Sequence, residues 1–271
     1  MSTDAFDDHA VMDPTDRRAL AVDILRCEVL AATLRGDATP CRLVVSWQGA
    51  LPGPRYLPEP WTGHLGIAPI LFVSSNPSSG ERDEPVDQAG WNTSESADDE
   101  LIRGTDGAFD DEQRPGIVSG VYLVDRFGKH AGRPVPFWRW NRRIAGELLG
   151  RDPVPGRDYA LTEVVHCGSR GEFGVVEAAP TCASRYLKRL LTASPARVVI
   201  VTGDKALGAF ENETGVKLQD RCWGPDELLG ATRFVIALPH PNRRGSLWGL
   251  DPHLGLTRAN AVRNFIRETV S

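Results

Sequence analysis

A chain of 271 residues has room for one large domain or two small ones, and 41% hydrophobic with 25% charged residues is the make-up of an ordinary globular protein. No run approaches the roughly 18 apolar residues of a membrane span, and the acidic start MSTDAFDDHAVMDPTD has no apolar stretch. Neither a membrane anchor nor a secretory leader is expected, and the cytoplasm is the expected location. The net charge of −5 looks wrong for a nucleic-acid partner, but it is unevenly spread: residues 1–16 carry five acids and no base, and residues 81–112 carry −10, which leaves +10 on the rest. A body with that excess is able to hold a phosphate backbone.

In chain order, residues 1–16 read as an acidic tail and 17–271 as a single domain. TDRRALAVDILRCEVLAATLRG reads as one helix, capped by Thr15 or Asp16, stopped by Gly36, with Leu20, Ile24, Cys27, Ala31 and Leu34 as its apolar stripe. Strands are predicted at 68–75, 159–167, 196–203 and 232–240; three of them are nearly continuous Val- and Ile-rich runs, as strands buried on both faces tend to be. Helices are predicted at 140–150, 181–194, 204–215 and 257–270. An acidic insert at about 81–130, ending in a hairpin at 116–128, interrupts the first crossover. Strands alternating with helices predict a three-layer α/β/α domain on a central, mostly parallel four-stranded sheet.

Ligands of open parallel sheets bind beyond the carboxyl ends of the strands. The polar segments at those ends are SNPSSG, CGSRG, GDKA and PHPNRRGS. Taken alone, Asn76-Pro77 is an ordinary turn and His240-Pro241 a structural loop. Their order is what changes the reading. LFVSSNPSSG, LTEVVHCGSR, VVIVTGDKAL and LPHPNRRGS, spread over residues 41 to 250, resemble the succession of landmarks in the uracil-DNA glycosylase superfamily.

The resemblance implies a DNA glycosylase that flips a damaged or modified base and hydrolyses its N-glycosidic bond, in base excision repair or in defence against modified phage DNA. It places Asn76 on the water-positioning asparagine and His240 on the histidine that stabilises the departing base, with Ser74 and Ser78 replacing flanking glycines. Phe137, with Trp138 and Trp140 close by, falls in the segment that stacks an aromatic on the base. Ser78, Arg243, Arg244 and Ser246 would bind DNA, the small Ser78 letting the sugar approach and the two arginines contacting phosphates or filling the gap left by the flipped base, and Arg139, Arg142 and Arg143 would extend that footprint. Asn242 stands where serine is usual. Glu163 stands where an asparagine reads uracil. A carboxylate only accepts hydrogen bonds, so it favours an amino-bearing or modified base, whereas a protonated Glu163 would mimic the amide. No lysine is obviously placed for a Schiff-base step, so a monofunctional enzyme acting as a monomer on DNA is expected.

Five cysteines without dense spacing do not make a secreted disulfide scaffold. The chemistry itself needs no cofactor, but some branches of the superfamily carry a four-iron cluster. The resemblance puts Cys41, Cys167 and Cys182 on three of its ligands. The fourth position is Ala38, for which Cys27 could substitute, although a buried thiol on an apolar stripe has reason enough to be there. Cys222 reads as structural. Two competing functions keep this fold and change the chemistry: a non-catalytic binder of damaged or modified DNA, and a small-molecule hydrolase with SNPSSG cradling phosphate.

Overall fold

The computed structural model describes residues 13–50, 57–78, 98, 102–103, 109, 117–123, 133–241 and 249–270. In chain order the elements begin with α1 (Pro14–Leu25), α2 (Glu28–Leu34), β1 (Ile70–Ser74), a small hairpin of β2 (Ile117–Val118) and β3 (Tyr122–Leu123), α3 (Pro136–Leu149) and β4 (Tyr159–Glu163). They continue with α4 (Val175–Ala193), β5 (Val198–Thr202), α5 (Asp204–Thr214), β6 (Cys222–Leu228), β7 (Ala231–Leu238), α6 (Asp251–Leu254) and α7 (Leu256–Val270). The main sheet runs β4-β1-β5-β7-β6; its first four strands are parallel and β6 pairs antiparallel to β7.

Side chains that alternate along the strands divide the core in two. Leu71, Val73, Val199, Val201 and Val235 face Leu20, Ile24, Tyr186, Leu187 and Phe210 of α1, α4 and α5. Ile70, Phe72, Val198, Ile200 and Ile236 face Trp140, Ile144, Leu148, Val262 and Ile266 of α3 and α7. Helices therefore cover both faces, and strands β1, β4 and β5 are buried at every position. Each fully buried Leu, Ile or Val contributes about 1.5–3 kcal/mol, which is why these continuous apolar runs dictate the centre of the fold. Among the described residues, no helix is long and apolar enough to cross a membrane.

Four expectations are corrected. The sheet has five strands rather than four, because the antiparallel edge strand β6 carries Pro225 and two acids on largely exposed positions. Proline and charge are what an edge strand tolerates, and they hide its strand character. The first helix begins at Pro14, inside the supposed tail, with the Asp13 carboxylate accepting from the Thr15 N–H at 2.7 Å. It then breaks at Arg26 and Cys27, where the sequence has no Gly or Pro; Arg26 instead grips Asp98 through two hydrogen bonds of 3.0 and 2.7 Å. Finally, α4 begins six residues ahead of its predicted start and runs through Pro180. Its amino end is set by Gly174, at φ 75°, where a Cβ would lie 2.5 Å from the Val44 nitrogen. Close backbone approach there admits only glycine.

The acidic tail up to residue 12 and most of the insert lie outside the described residues. Those of the insert that are described pack onto the body: Asp98 on Arg26, and Phe109 against Tyr159 with ring centroids 5.6 Å apart.

Candidate functional site

The loops that follow β1, β4, β5 and β7 leave the sheet at one end and enclose a cleft of about 510 Å³. Ser75, Asn76 and Ser78 come from the first loop, Ser169, Gly171 and Glu172 from the second, Gly203, Asp204 and Lys205 from the third, and Pro239 and His240 from the fourth. Asn76 and His240 thus open onto one space, and its volume suits a small organic ligand.

Asn76 is held by its amide nitrogen. Nδ2 donates to Pro77 O at 2.8 Å and Ser169 Oγ at 2.8 Å, with Cys167 O at 3.3 Å. Carbonyl oxygens only accept, so they fix which end of the amide faces inward. Oδ1 has no partner among the described residues and is the acceptor that Asn76 offers the cleft. Ser78 and Ser169 meet in a parallel backbone bridge, with Ser169 N donating to Pro77 O at 3.1 Å, which ties the two loops together below the amide.

His240 is half-buried, and Phe137 stacks on its imidazole with centroids 5.5 Å apart and planes inclined by 12°. Burial pushes the imidazole pKa down, against the opposing charge of Glu172, so the ring is neutral at pH 7. Phe137 therefore reaches the site, but it lies against the histidine rather than against an open slot. Trp140 belongs to the core, edge-on to Phe72 at 6.1 Å, and Trp138 packs at its margin.

Glu163 does not line the cleft. It ends β4, buried beside Ser74, whose Oγ is 3.5 Å away, a long contact for a hydrogen bond. Burial, with Glu59 adding to it, pushes its carboxyl well above the usual glutamate range, and Ser74 offsets this only in part. These surroundings favour its protonated form. Two more interior polar groups lack partners there: the hydroxyl of Thr202, at the end of β5, and the amide of Asn141, one helical turn after Phe137. Sequence reasoning had passed over both. Arg142 was expected on DNA but is engaged by Asp152 at 2.7 Å and Ser119 O at 2.6 Å. Asn242, Arg243, Arg244 and Ser246 lie outside the described residues.

Two side chains that line the cleft were missed. Glu172 accepts a short hydrogen bond from Ser75 Oγ and pairs with Lys205 Nζ at 2.9 Å; Lys205 also donates to Glu172 O at 3.3 Å. Burial would raise the carboxyl of Glu172, but Ser75, Lys205 and His240 together hold it below the usual range. Lys205 is a lysine at the cleft that the sequence had not marked. The signal for it was present: it follows Gly203-Asp204 at the carboxyl end of a parallel strand, where ligand-facing residues concentrate.

Four cysteines gather on the opposite side of the second loop. Cys27, Cys41, Cys167 and Cys182 are all buried, all free, and all in one core cluster. Burial is the main reason three of these thiols titrate high, with neighbouring thiols adding to it: Cys41 is pushed up to about 11 by burial and Cys27, Cys182 to about 12 by burial with Cys41 and Cys27, and Cys167 well above the usual value by burial with the other three. The His166 backbone N–H also reaches the Cys182 sulfur. Among the described residues no three His, Cys, Asp or Glu side chains converge tightly enough to hold a single metal ion.

Compared with known proteins, the chain matches no family model and no curated protein.

Proposed function

We propose that this chain is a monofunctional DNA glycosylase of the cytoplasm, acting as a monomer on a flipped base. One observation carries the reading: Asn76 and His240, brought from separate strand ends, open onto one cleft of about 510 Å³, and Asn76 turns its carbonyl oxygen to that cleft. In hydrolysis of an N-glycosidic bond, water must be held at C1′ while charge develops on the departing base. Asn76 Oδ1 accepts a hydrogen bond from that water and fixes its approach. The neutral His240 imidazole donates to the base oxygen as it becomes negative, and Phe137 keeps the ring plane fixed. Burial favours the protonated form of Glu163, which both donates and accepts, and so uracil stands beside amino-bearing and modified bases as a substrate.

The test uses duplex and single-stranded oligonucleotides carrying uracil, hypoxanthine, xanthine or a modified cytosine. Alkali-revealed strand breaks that vanish in Asn76→Ala and His240→Ala support the reading. Tight binding of the same oligonucleotides without breaks transfers support to a non-catalytic binder.

The four-thiol cluster fits the iron–sulfur group that the resemblance implies. An iron–sulfur cluster is held by cysteine thiolates, and these four cysteines are free, buried and in one core cluster. Cys27, Cys41, Cys167 and Cys182 would hold it, with Cys27 replacing the ligand lost at Ala38. Bound there, it would staple the start of α2, the Pro40–Arg42 turn and α4 to the loop that carries Ser169 and Glu172. A brown anaerobic preparation containing iron and acid-labile sulfide, and colourless as Cys27→Ser, is the expected result.

A further inference from the structure

Glu172 stands out because its backbone is costly and its side chain is fully engaged. It adopts φ 58°, in the left-handed region that non-glycine residues rarely enter, between Gly171 at φ 60° and Gly174 at φ 75°. Strain of this kind, of order 1–3 kcal/mol, persists only where the surroundings enforce it, and it concentrates at functional sites. The loop is pinned from outside: Trp47 Nε1 donates to Gly168 O at 3.0 Å, and the Arg170 guanidinium sits 5.2 Å from the Trp47 ring centre. From inside, Ser75, the residue next to Asn76, donates to one carboxylate oxygen and Lys205 pairs with the other at 2.9 Å. Three loops thereby aim one carboxylate into the space that Asn76 and His240 share.

We infer that Glu172 is a catalytic carboxylate whose negative charge faces the sugar as the glycosidic bond breaks. The inference rests on the glycosylase reading and completes its charge balance. The C1′–N bond breaks with its electron pair leaving on the base, and the His240 N–H donates a hydrogen bond to the resulting anion. Positive charge left on the sugar ring faces Glu172. Water held by Asn76 adds to C1′, its proton passes to the Glu172 carboxylate and on to solvent, and the base anion takes a proton from solvent. Asn76 cannot supply this charge, since an amide is neutral, and Glu163 is buried and does not line the cleft. Lys205, paired with the carboxylate at 2.9 Å, favours the ionised form of Glu172.

The experiment reads binding rather than turnover. Two duplexes are compared, one carrying a cationic pyrrolidine in place of the deoxyribose and one carrying the neutral tetrahydrofuran analogue. The wild-type protein is expected to prefer the cationic duplex by about tenfold or more, as sites built for a charged transition state do. Glu172→Gln is expected to bind the neutral duplex as the wild type does and to lose the preference, while Glu172→Asp keeps part of it and carries the test if the amide variant melts early. An undiminished preference in Glu172→Gln overturns the role of Glu172 and leaves the glycosylase reading standing. A wild-type protein that binds neither duplex and excises no base overturns both.

Discussion

Glu163 and Glu172 belong to the same stretch of chain, one at the end of β4 and one in the loop that follows, yet the protein treats them in opposite ways. Glu163 is buried with only a distant hydroxyl for company, so burial decides and the group keeps its proton. Glu172 is also drawn partly out of water, but Ser75 and Lys205 serve its two oxygens, and partners decide instead. The contrast shows that a charge survives near the interior only where the chain builds donors around it. The fold has built them at the cleft and not in the floor beneath it, which is why the cleft is where chemistry is expected.

The largest expected effect sharpens the contrast from the interior. Arg233 is 1% exposed, and its guanidinium donates to Leu228 O at 3.0 Å and to Ala196 O, Leu191 O and Ser194 O at 2.8 Å each. It is an interior charge with full support, and burial brings its pKa down only to about 10. Arg233→Met orphans four carbonyls and is expected to cost about 3–5 kcal/mol in urea denaturation; a loss below about 1 kcal/mol would break the rule that donors and acceptors decide. Next, in the cleft, Asn76→Ala is expected to lower base excision by about 10²–10³-fold with folding unchanged, read as alkali-revealed strand breaks.

Glu163 gives a smaller effect with a definite sign. Its folded pKa is raised, so the native chain holds a proton that the unfolded chain has released at neutral pH. Stability is therefore full below the ordinary glutamate range and declines as pH rises toward the raised value. Glu163→Gln removes that slope, and is expected to gain about 1 kcal/mol or more at pH 7 and nothing at pH 4. Glu172 has the opposite sign: its pKa is lowered, so its contribution is present above the ordinary glutamate range and fades as pH falls through the lowered value. The pair with Lys205 is half-exposed, so Lys205→Met is expected to cost less than about 1 kcal/mol at pH 7 and nothing in acid, measured as paired denaturation curves against pH.

Much of this architecture was legible because its main strands are apolar on both faces. ILFVS and VVIVT leave little choice but a buried parallel strand, and Gly215 closes α5 where the sequence says it should. What stayed hidden depended on partners far along the chain. The break after Leu25 is made by Asp98, and the path of α4 through Pro180 is set by Gly174 against Leu43 and Val44, neither of which a local window contains. At the site, Asn76 and His240 were visible because they sit at strand ends in a recognisable order. Glu172 was not, since an acid between two glycines reads as a solvated loop until Ser75 and Lys205 are seen to close on it. Cys27 was read as an apolar stripe residue and is one, although its thiol also joins those of Cys41, Cys167 and Cys182.

The inward-turned nitrogen of Asn76 restricts how this protein is able to evolve. An aspartate at that position would point an oxygen at the carbonyls of Pro77 and Cys167, where repulsion replaces attraction. The exchange of amide for acid, nearly invisible by shape, is thus closed to the chain unless the neighbouring loop is rebuilt at the same time. Any carboxylate that faces this space has therefore to come from the other loops of the cleft, as Glu172 does.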